Sequence, residues 1–190
     1  MNTQGFRRLC SFAGSVLLAT SVWPTLCHAT QVTYGINADG VKEVDAAGAP
    51  NKGDLDGSAT GTLVLDNGTG SGTTGSATFS ITLSNVDLTT LSGHHIHMAP
   101  ATTTGSIVVD FGDPDTIRTG STLSGTITGL PAATITSIFA NTSGFYYNIH
   151  NLTFQGGAVR DQLVPIPEPG LSFLALAGLA GLTMLARRRH

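Results

Sequence analysis

The sequence has almost no cysteine and little positive charge. Only two of its 190 residues are cysteine, Cys10 and Cys27, and both lie within the first 29 residues. The rest of the chain therefore has no thiol for a disulfide or a metal–thiolate site. Residues 30–166 carry four basic side chains against eleven acidic ones, a formal charge of −7. This acidic balance, without a basic patch, argues strongly against nucleic acid as a partner.

Amphipathic helices of ordinary length and the motifs of nucleophilic enzymes are missing as well. The chain has no Gly-x-Ser-x-Gly elbow, no phosphate-binding loop and no carboxylate pair in a convincing context. An enzyme that needs an activated nucleophile is difficult to build from these residues. We therefore expect that the protein is not an enzyme.

The middle of the chain has the period-two alternation of β-strands, most clearly over residues 76–84. Other predicted strands are Gln31–Ile36, Thr60–Asp66, His94–Met98, Ser106–Phe111, Thr122–Thr128, Phe145–His150 and Ala158–Val164. Residues 132–140 are predicted to form either a helical turn or a strand, and residues 38–57 a long polar loop or insertion. Short strands with glycine-rich turns predict an all-β fold, a β-sandwich of Greek-key type. We expect residues 30–59 to supply an N-terminal strand and loop, and residues 60–164 the main domain.

The N-terminal residues 1–29 have the pattern of a secretory signal peptide. Arg7 and Arg8 provide the positive start, an apolar stretch follows, and small residues precede a cleavage after Ala29. A twin-arginine signal and a lipoprotein signal at Cys27 are the alternatives, although the neighbouring residues fit both patterns poorly.

The C-terminal residues 165–190 carry three signals in a fixed order. They are the rigid turn Pro167-Glu168-Pro169, the apolar run of residues 171–186, and the positive block Arg187-Arg188-Arg189. An apolar run followed by arginines predicts a transmembrane helix with its C-terminus in the cytoplasm. Sixteen residues reach only about 24 Å, against a hydrocarbon core of roughly 30 Å. The bilayer must therefore thin locally, or the arginines must snorkel.

This order of signals resembles the PEP-CTERM sorting signal of Gram-negative bacteria. The resemblance implies that the membrane enzyme exosortase, which is transpeptidase-like, cuts the chain near the Pro-Glu-Pro motif. The protein would be anchored transiently in the inner membrane and then reach the cell surface, often among exopolysaccharide. An ordinary single-pass anchor that happens to follow prolines is the alternative.

The histidines of the central region form a close cluster with one distant member: His94, His95, His97 and His150. On a strand, His95 and His97 point to one face and Ile96 to the other. If residues 145–150 form a neighbouring strand, His150 joins them in a three-nitrogen site, which suits zinc or copper. From spacing alone, a hydrogen-bonded structural pair or exposed histidines at a sheet edge remain the alternatives. Tyr146 or Tyr147 could stack on sugars.

Four pieces within residues 60–164 resemble the CHRD domain, which was first described in chordin and is widespread in bacterial exported proteins. They are His95-Ile96-His97 with Gly105–Val108, then Leu123–Ile127, then Phe145–His150, and then Gly156–Leu163. The resemblance implies an all-β, immunoglobulin-like fold without a settled activity. Ala158 and Asp161 stand where the family usually has an acidic residue and a glycine.

CHRD domains have a fainter similarity to copper–zinc superoxide dismutases. By position, His95, His97 and His150 look like three of the copper ligands there, and Arg160 looks like the arginine that guides the anionic substrate. The bridging histidine, the zinc ligands and the disulfide cysteines have no counterpart, which argues against dismutase activity.

The function that we expect is therefore a non-enzymatic surface or matrix component that binds exopolysaccharide or a surface protein. The first alternative is a reduced copper or zinc site at the three histidines, with or without redox catalysis. An inert acidic domain that only fills the matrix is a second alternative.

Overall fold

The computed structural model describes residues 31–68 and 74–167. Ten strands dominate: β1 (Gln31–Asp39), β2 (Ser58–Asp66), β3 (Thr74–Ser84), β4 (Leu91–Met98), β5 (Ser106–Asp110), β6 (Arg118–Thr119), β7 (Thr122–Pro131), β8 (Phe145–Asn151), β9 (Val159–Gln162) and β10 (Val164–Pro165). Two short helices, α1 (Pro114–Ile117) and α2 (Ala132–Ala140), and two 3-10 turns, Gly40–Lys42 and Thr142–Gly144, complete the fold.

Most of the predicted export signals lie outside the described residues. They are the signal peptide with its cleavage at Ala29, Glu168 and Pro169 of the Pro-Glu-Pro motif, the transmembrane helix, and Arg187, Arg188 and Arg189. Pro167 is described and is exposed. Within residues 31–68 and 74–167, no helix combines the length and the hydrophobicity that crossing a membrane requires.

The strands pair into one continuous antiparallel sheet. Its order is β5-β4-β8-β9-β1-β2-β3-β7-β6, with β10 also paired to β1. The connections from β3 to β4, from β5 to β6 and from β7 to β8 join strands that are not neighbours. Only residues 111–117 separate β5 from β6, although these strands are the two ends of the sheet. Because so short a segment spans little distance, the sheet must curl until its ends approach each other.

The core lies between the two facing halves of the curled sheet. Phe79 of β3 and His94 of β4 are far apart in the strand order, yet their ring centroids are only 4.9 Å apart. Phe111, which follows β5, packs on the same phenylalanine at 5.1 Å. The predicted all-β fold is confirmed, and the two layers of the predicted sandwich are two halves of one sheet.

The alternation of β3 explains how the sheet covers this core. Ala77, Phe79, Ile81 and Leu83 are buried, while the threonines and serines between them face outward. On the outer face, hydroxyls pair across strands, as between Thr78 and Thr126 at 2.9 Å. The period-two pattern thus predicted both the strand and its buried side.

Several elements differ in their bounds from the sequence prediction: β4 begins at Leu91 and not at His94, and the strand predicted over residues 158–164 is divided into β9 and β10. β1 continues to Asp39, three residues beyond the predicted end, and lies centrally between β9 and β2. Residues 132–140 form a helix, α2, as one of the two alternatives proposed. The polar segment after β1 folds back against β9, where the N–H of Asp54 donates to the carbonyl of Ala158 at 2.8 Å.

Candidate metal centre

The three predicted site histidines lie on two neighbouring strands. β4 and β8 pair antiparallel, with His97 opposite Tyr146 and Gly93 opposite His150. Ile96 is fully buried in the core, so His95 and His97 project from the other face of β4. The prediction that His95 and His97 share one face of a strand is confirmed. The strand that carries His150 also lies next to β4, as the three-histidine site requires.

The distances among the three imidazoles approach those of a metal site. One nitrogen from each of His95, His97 and His150 lies within 4.8 Å of the other two. Nε2 of His97 and Nε2 of His150 are 3.2 Å apart. Metal–nitrogen bonds of about 2.0–2.1 Å around one ion place nitrogens roughly 3.3–3.6 Å apart. The pair formed by His97 and His150 therefore already fits, and a site that includes His95 requires its ring to approach by up to about 1.5 Å.

Backbone carbonyls fix the tautomers of two of the rings. Nδ1 of His97 lies 2.9 Å from the carbonyl oxygen of Gly105, and Nδ1 of His150 lies 3.0 Å from that of Gln155. Since a carbonyl oxygen can only accept, each Nδ1 carries the proton and donates it, and each Nε2 keeps its lone pair. Two lone pairs thus face each other across 3.2 Å. A metal ion between them turns this repulsion into coordination, and such carbonyl partners are typical of metal-binding histidines.

The third ring offers its other nitrogen. Nε2 of His95 is 3.7 Å from a carboxylate oxygen of Asp110 on β5, which favours a proton on Nε2. Nδ1 of His95 is buried and has no hydrogen-bond partner. A methyl group placed on Gly93 would lie 3.1 Å from this Nδ1 and 3.2 Å from Cδ2 of His150. The same position beside Gly93 is therefore near both this Nδ1 and the ring of His150.

Burial keeps the three imidazoles neutral, which is the form that binds metals. Desolvation lowers the pKa of His150 to about 4, although its hydrogen bond to Gln155 opposes the shift. Desolvation also lowers the pKa of His95 and that of His97. Protons therefore do not compete for these nitrogens at neutral pH.

His94 takes no part in this group, because its side chain belongs to the core. Its Nε2 is 2.6 Å from the hydroxyl of Tyr147, and its ring stacks on Phe111 with centroids 4.4 Å apart. Burial lowers the pKa of His94 to about 3. His94 is therefore a hydrogen-bonded structural histidine, which was the alternative to a metal ligand.

Comparison with protein-family models matches residues 28–163 to the CHRD domain. The protein belongs to the CHRD domain family. The match begins before β1 and so includes the N-terminal strand, which the resemblance in the sequence did not cover. No curated protein and no solved structure matches the chain significantly.

Arg160 lies beneath the histidines of the CHRD domain and is 1% exposed. Its guanidinium carbon is 3.5 Å from the centroid of the Tyr146 ring, which in turn stacks on His97 at 4.9 Å with planes only 9° apart. Its Nη2 donates to the carbonyls of Pro100 and Thr103, each at 2.9 Å. This geometry indicates that Arg160 positions the ring of Tyr146 and, through it, His97. The guiding of anions by Arg160 stays a prediction, and the burial of its side chain does not support it.

Glu43 is the residue that sequence reasoning missed. It is 1% exposed, and its Oε1 lies 3.6 Å from Nη1 of Arg160. Its Oε2 accepts a hydrogen bond of 2.9 Å from the side chain of Asn148 on β8. Desolvation raises the pKa of Glu43, while the hydrogen bond from Val44 and the charge of Arg160 oppose the rise. One signal was available, since Glu43 is the only glutamate between residues 30 and 166.

Neither tyrosine that was proposed to stack on sugars has an exposed ring. Tyr146 is 1% exposed and Tyr147 is fully buried. Every residue of β8 is buried, because one face meets the core and the other meets residues 43–44 and the segment before β5. Neither ring therefore offers an exposed face on which a sugar could stack.

A cleft of about 880 Å³ opens over the three imidazoles. Loops that follow β1, β4 and β8 form its walls, and its lining includes Val44, Asp45, Ser92, Ile107, Leu152 and Gln155. The lining residues among those described include no lysine or arginine. The candidate metal centre of the CHRD domain is thus reachable from solvent on one side.

Proposed function

We propose that the protein is an exported, non-enzymatic CHRD-domain component of the cell surface or extracellular matrix. Membership of the CHRD family supports this proposal, as do the signal-peptide pattern of residues 1–29 and the order of signals in residues 165–190. Exosortase of a Gram-negative bacterium then processes the chain during transient anchoring in the inner membrane. The released domain associates with exopolysaccharide or with another surface protein.

Replacing Glu168 by alanine tests the sorting step. We expect the variant to accumulate unprocessed in the membrane fraction, because the Pro-Glu-Pro motif no longer marks the processing site. Immunoblots of membrane and released fractions give the measurement. The control is Asp115→Ala, which removes a carboxylate that is paired with Arg118 at the surface of the domain. Normal release of the Glu168 variant would contradict the proposal.

Binding of copper or zinc is a second candidate function, and one observation favours it. The Nε2 atoms of His97 and His150 face each other at 3.2 Å, with the protons held on the opposite nitrogens. His95 adds a third ring nitrogen to the same group, and its Nδ1 is buried without a hydrogen-bond partner. A bound ion would satisfy all three lone pairs, and three neutral imidazoles are a donor set that both metals accept.

Metal addition is therefore expected to stabilise the protein purified without a histidine tag. At a free zinc or copper concentration about 100 times the dissociation constant, the gain is about 2.7 kcal/mol, because only the folded state assembles the three rings. Elemental analysis should find one ion per chain, and thermal unfolding should shift upward and return on chelation. Protein without metal above trace, and with an unchanged unfolding midpoint, would remove this function.

A further inference from the structure

We propose that a metal ion at His95, His97 and His150 keeps one coordination position open to the cleft, and that a carboxylate-bearing ligand binds there. The proposal rests on the metal-binding function above, which it extends by naming a ligand.

The described residues supply three ligands to the ion. Among the described residues, the group that could hold an ion contains the three histidines and no carboxylate. Asp110 is paired with Nε2 of His95 at 3.7 Å and is not a member of this group. Zinc takes four ligands, and sites with three protein ligands leave the fourth position to water or substrate. The open position must therefore be filled from outside.

The cleft above the three imidazoles has room for an organic ligand. The cleft of about 880 Å³ lies within the roughly 300–1,000 Å³ range of small-molecule sites, and it is far larger than an inorganic anion needs. Ile107 and Leu152 present apolar walls and are 49% and 63% exposed. Ser92, Thr104 and Ser106 add hydroxyl groups to the lining. This mixture suits an organic acid with polar and apolar edges, such as an acidic sugar.

The charges around the ion determine which donor the open position favours. Three neutral imidazoles leave a divalent ion with its full double charge, which favours a negative oxygen donor in the open position. The described lining has no lysine or arginine, and it contains the carboxylate of Asp45. A hydrogen bond from Ala49 and the pairing with Lys52 at 3.3 Å lower the pKa of Asp45, so this group is ionised, and Lys52 offsets its repulsion of anions. Arg160 is held by carbonyls and by Tyr146 beneath the site. Binding of a carboxylate therefore depends wholly on the metal.

The test uses the full-length protein, cleared of metal with a chelator and reloaded with one equivalent of Cu²⁺. Three probes are titrated separately: azide as a small anion, glucuronate as the carboxylate, and glucose as its neutral counterpart. We expect azide and glucuronate to shift the visible absorption and electron paramagnetic resonance spectra of the copper in a saturable way. Glucose should leave the spectra unchanged, and calorimetry should detect no glucuronate binding to the metal-free protein.

A variant that fills the cleft provides the matched control. Ala46 is exposed and lines the cleft without being a metal ligand. Ala46→Trp should retain copper and its response to azide, but should weaken glucuronate binding at least about 10-fold, because the larger ligand loses its space.

Loss of the metal site and loss of the open coordination position give different results, so the two proposals can be told apart. Absence of copper binding would overturn both of them. Copper bound without any response to azide or glucuronate would overturn only the open position, and metal binding would stand. Glucuronate binding to metal-free protein would also overturn the proposal, as would copper-dependent dimerisation, in which a second copy supplies the fourth ligand.

Discussion

Replacing Arg160 by alanine is expected to lower the free energy of unfolding by about 3–5 kcal/mol. This is a large share of the roughly 5–15 kcal/mol that keeps a domain folded. The reason is the charge that would remain, because Glu43 is 1% exposed and Arg160 provides its only opposite charge among the described contacts. The carbonyls of Pro100 and Thr103 would lose their donor as well.

Urea unfolding of the Arg160→Ala variant gives the measurement, and two further variants interpret it. Arg118→Ala removes an arginine whose ion pair with Asp115 lies at the surface, and it should cost less than about 1 kcal/mol. The double variant Glu43→Gln/Arg160→Ala removes both charges and should recover at least about 1 kcal/mol relative to Arg160→Ala. Equal losses for the two arginines, or no recovery in the double variant, would show that the buried charge is not the cause.

The pattern of the sequence predicts individual strands better than it predicts their neighbours. The alternation around Phe79 fixes which residues of β3 face inward, because side chains on a strand alternate strictly. The same rule placed His95 and His97 on one face, and it remained conditional for His150. Only the pairing of β4 with β8 joins the three rings, and residues 99–144 separate these strands in the chain. Local pattern carries no information on such a long-range choice.

Glu43 and Arg160 show a second limit of reasoning from sequence. The polar composition of residues 38–57 predicted a long loop or an insertion, and a charged residue in such a segment is normally exposed. In the fold, backbone hydrogen bonds such as that from Asp54 to Ala158 hold this segment against β9 and bury Glu43. The residue that makes the burial tolerable, Arg160, lies on β9 itself. The pairing of Glu43 with Arg160 can be predicted only when the order of the strands is known.

The candidate metal centre can be tested by moving a ring as well as by removing one. His97→Ala deletes a proposed ligand and should weaken metal binding by more than the roughly 10–100-fold that loss of an outer partner costs. Gly93→Ala leaves all three rings in the chain. Its new methyl group would overlap Cε1 of His95 and would lie 3.2 Å from Cδ2 of His150. We expect the displaced rings to bind zinc roughly 10–100-fold more weakly.

Gly156→Ala is the matched control for this substitution, because a methyl group there meets no atom within 4 Å and Gly156 also lines the cleft. Competition against a chromophoric chelator measures the zinc affinity, and circular dichroism checks that each variant keeps its sheet. Since Gly93 offers no donor to a metal, a loss of zinc affinity in Gly93→Ala that Gly156→Ala does not share would come from the displaced imidazoles. Equal zinc affinity in Gly93→Ala, Gly156→Ala and the unmodified protein would mean that the three rings do not act together on one ion.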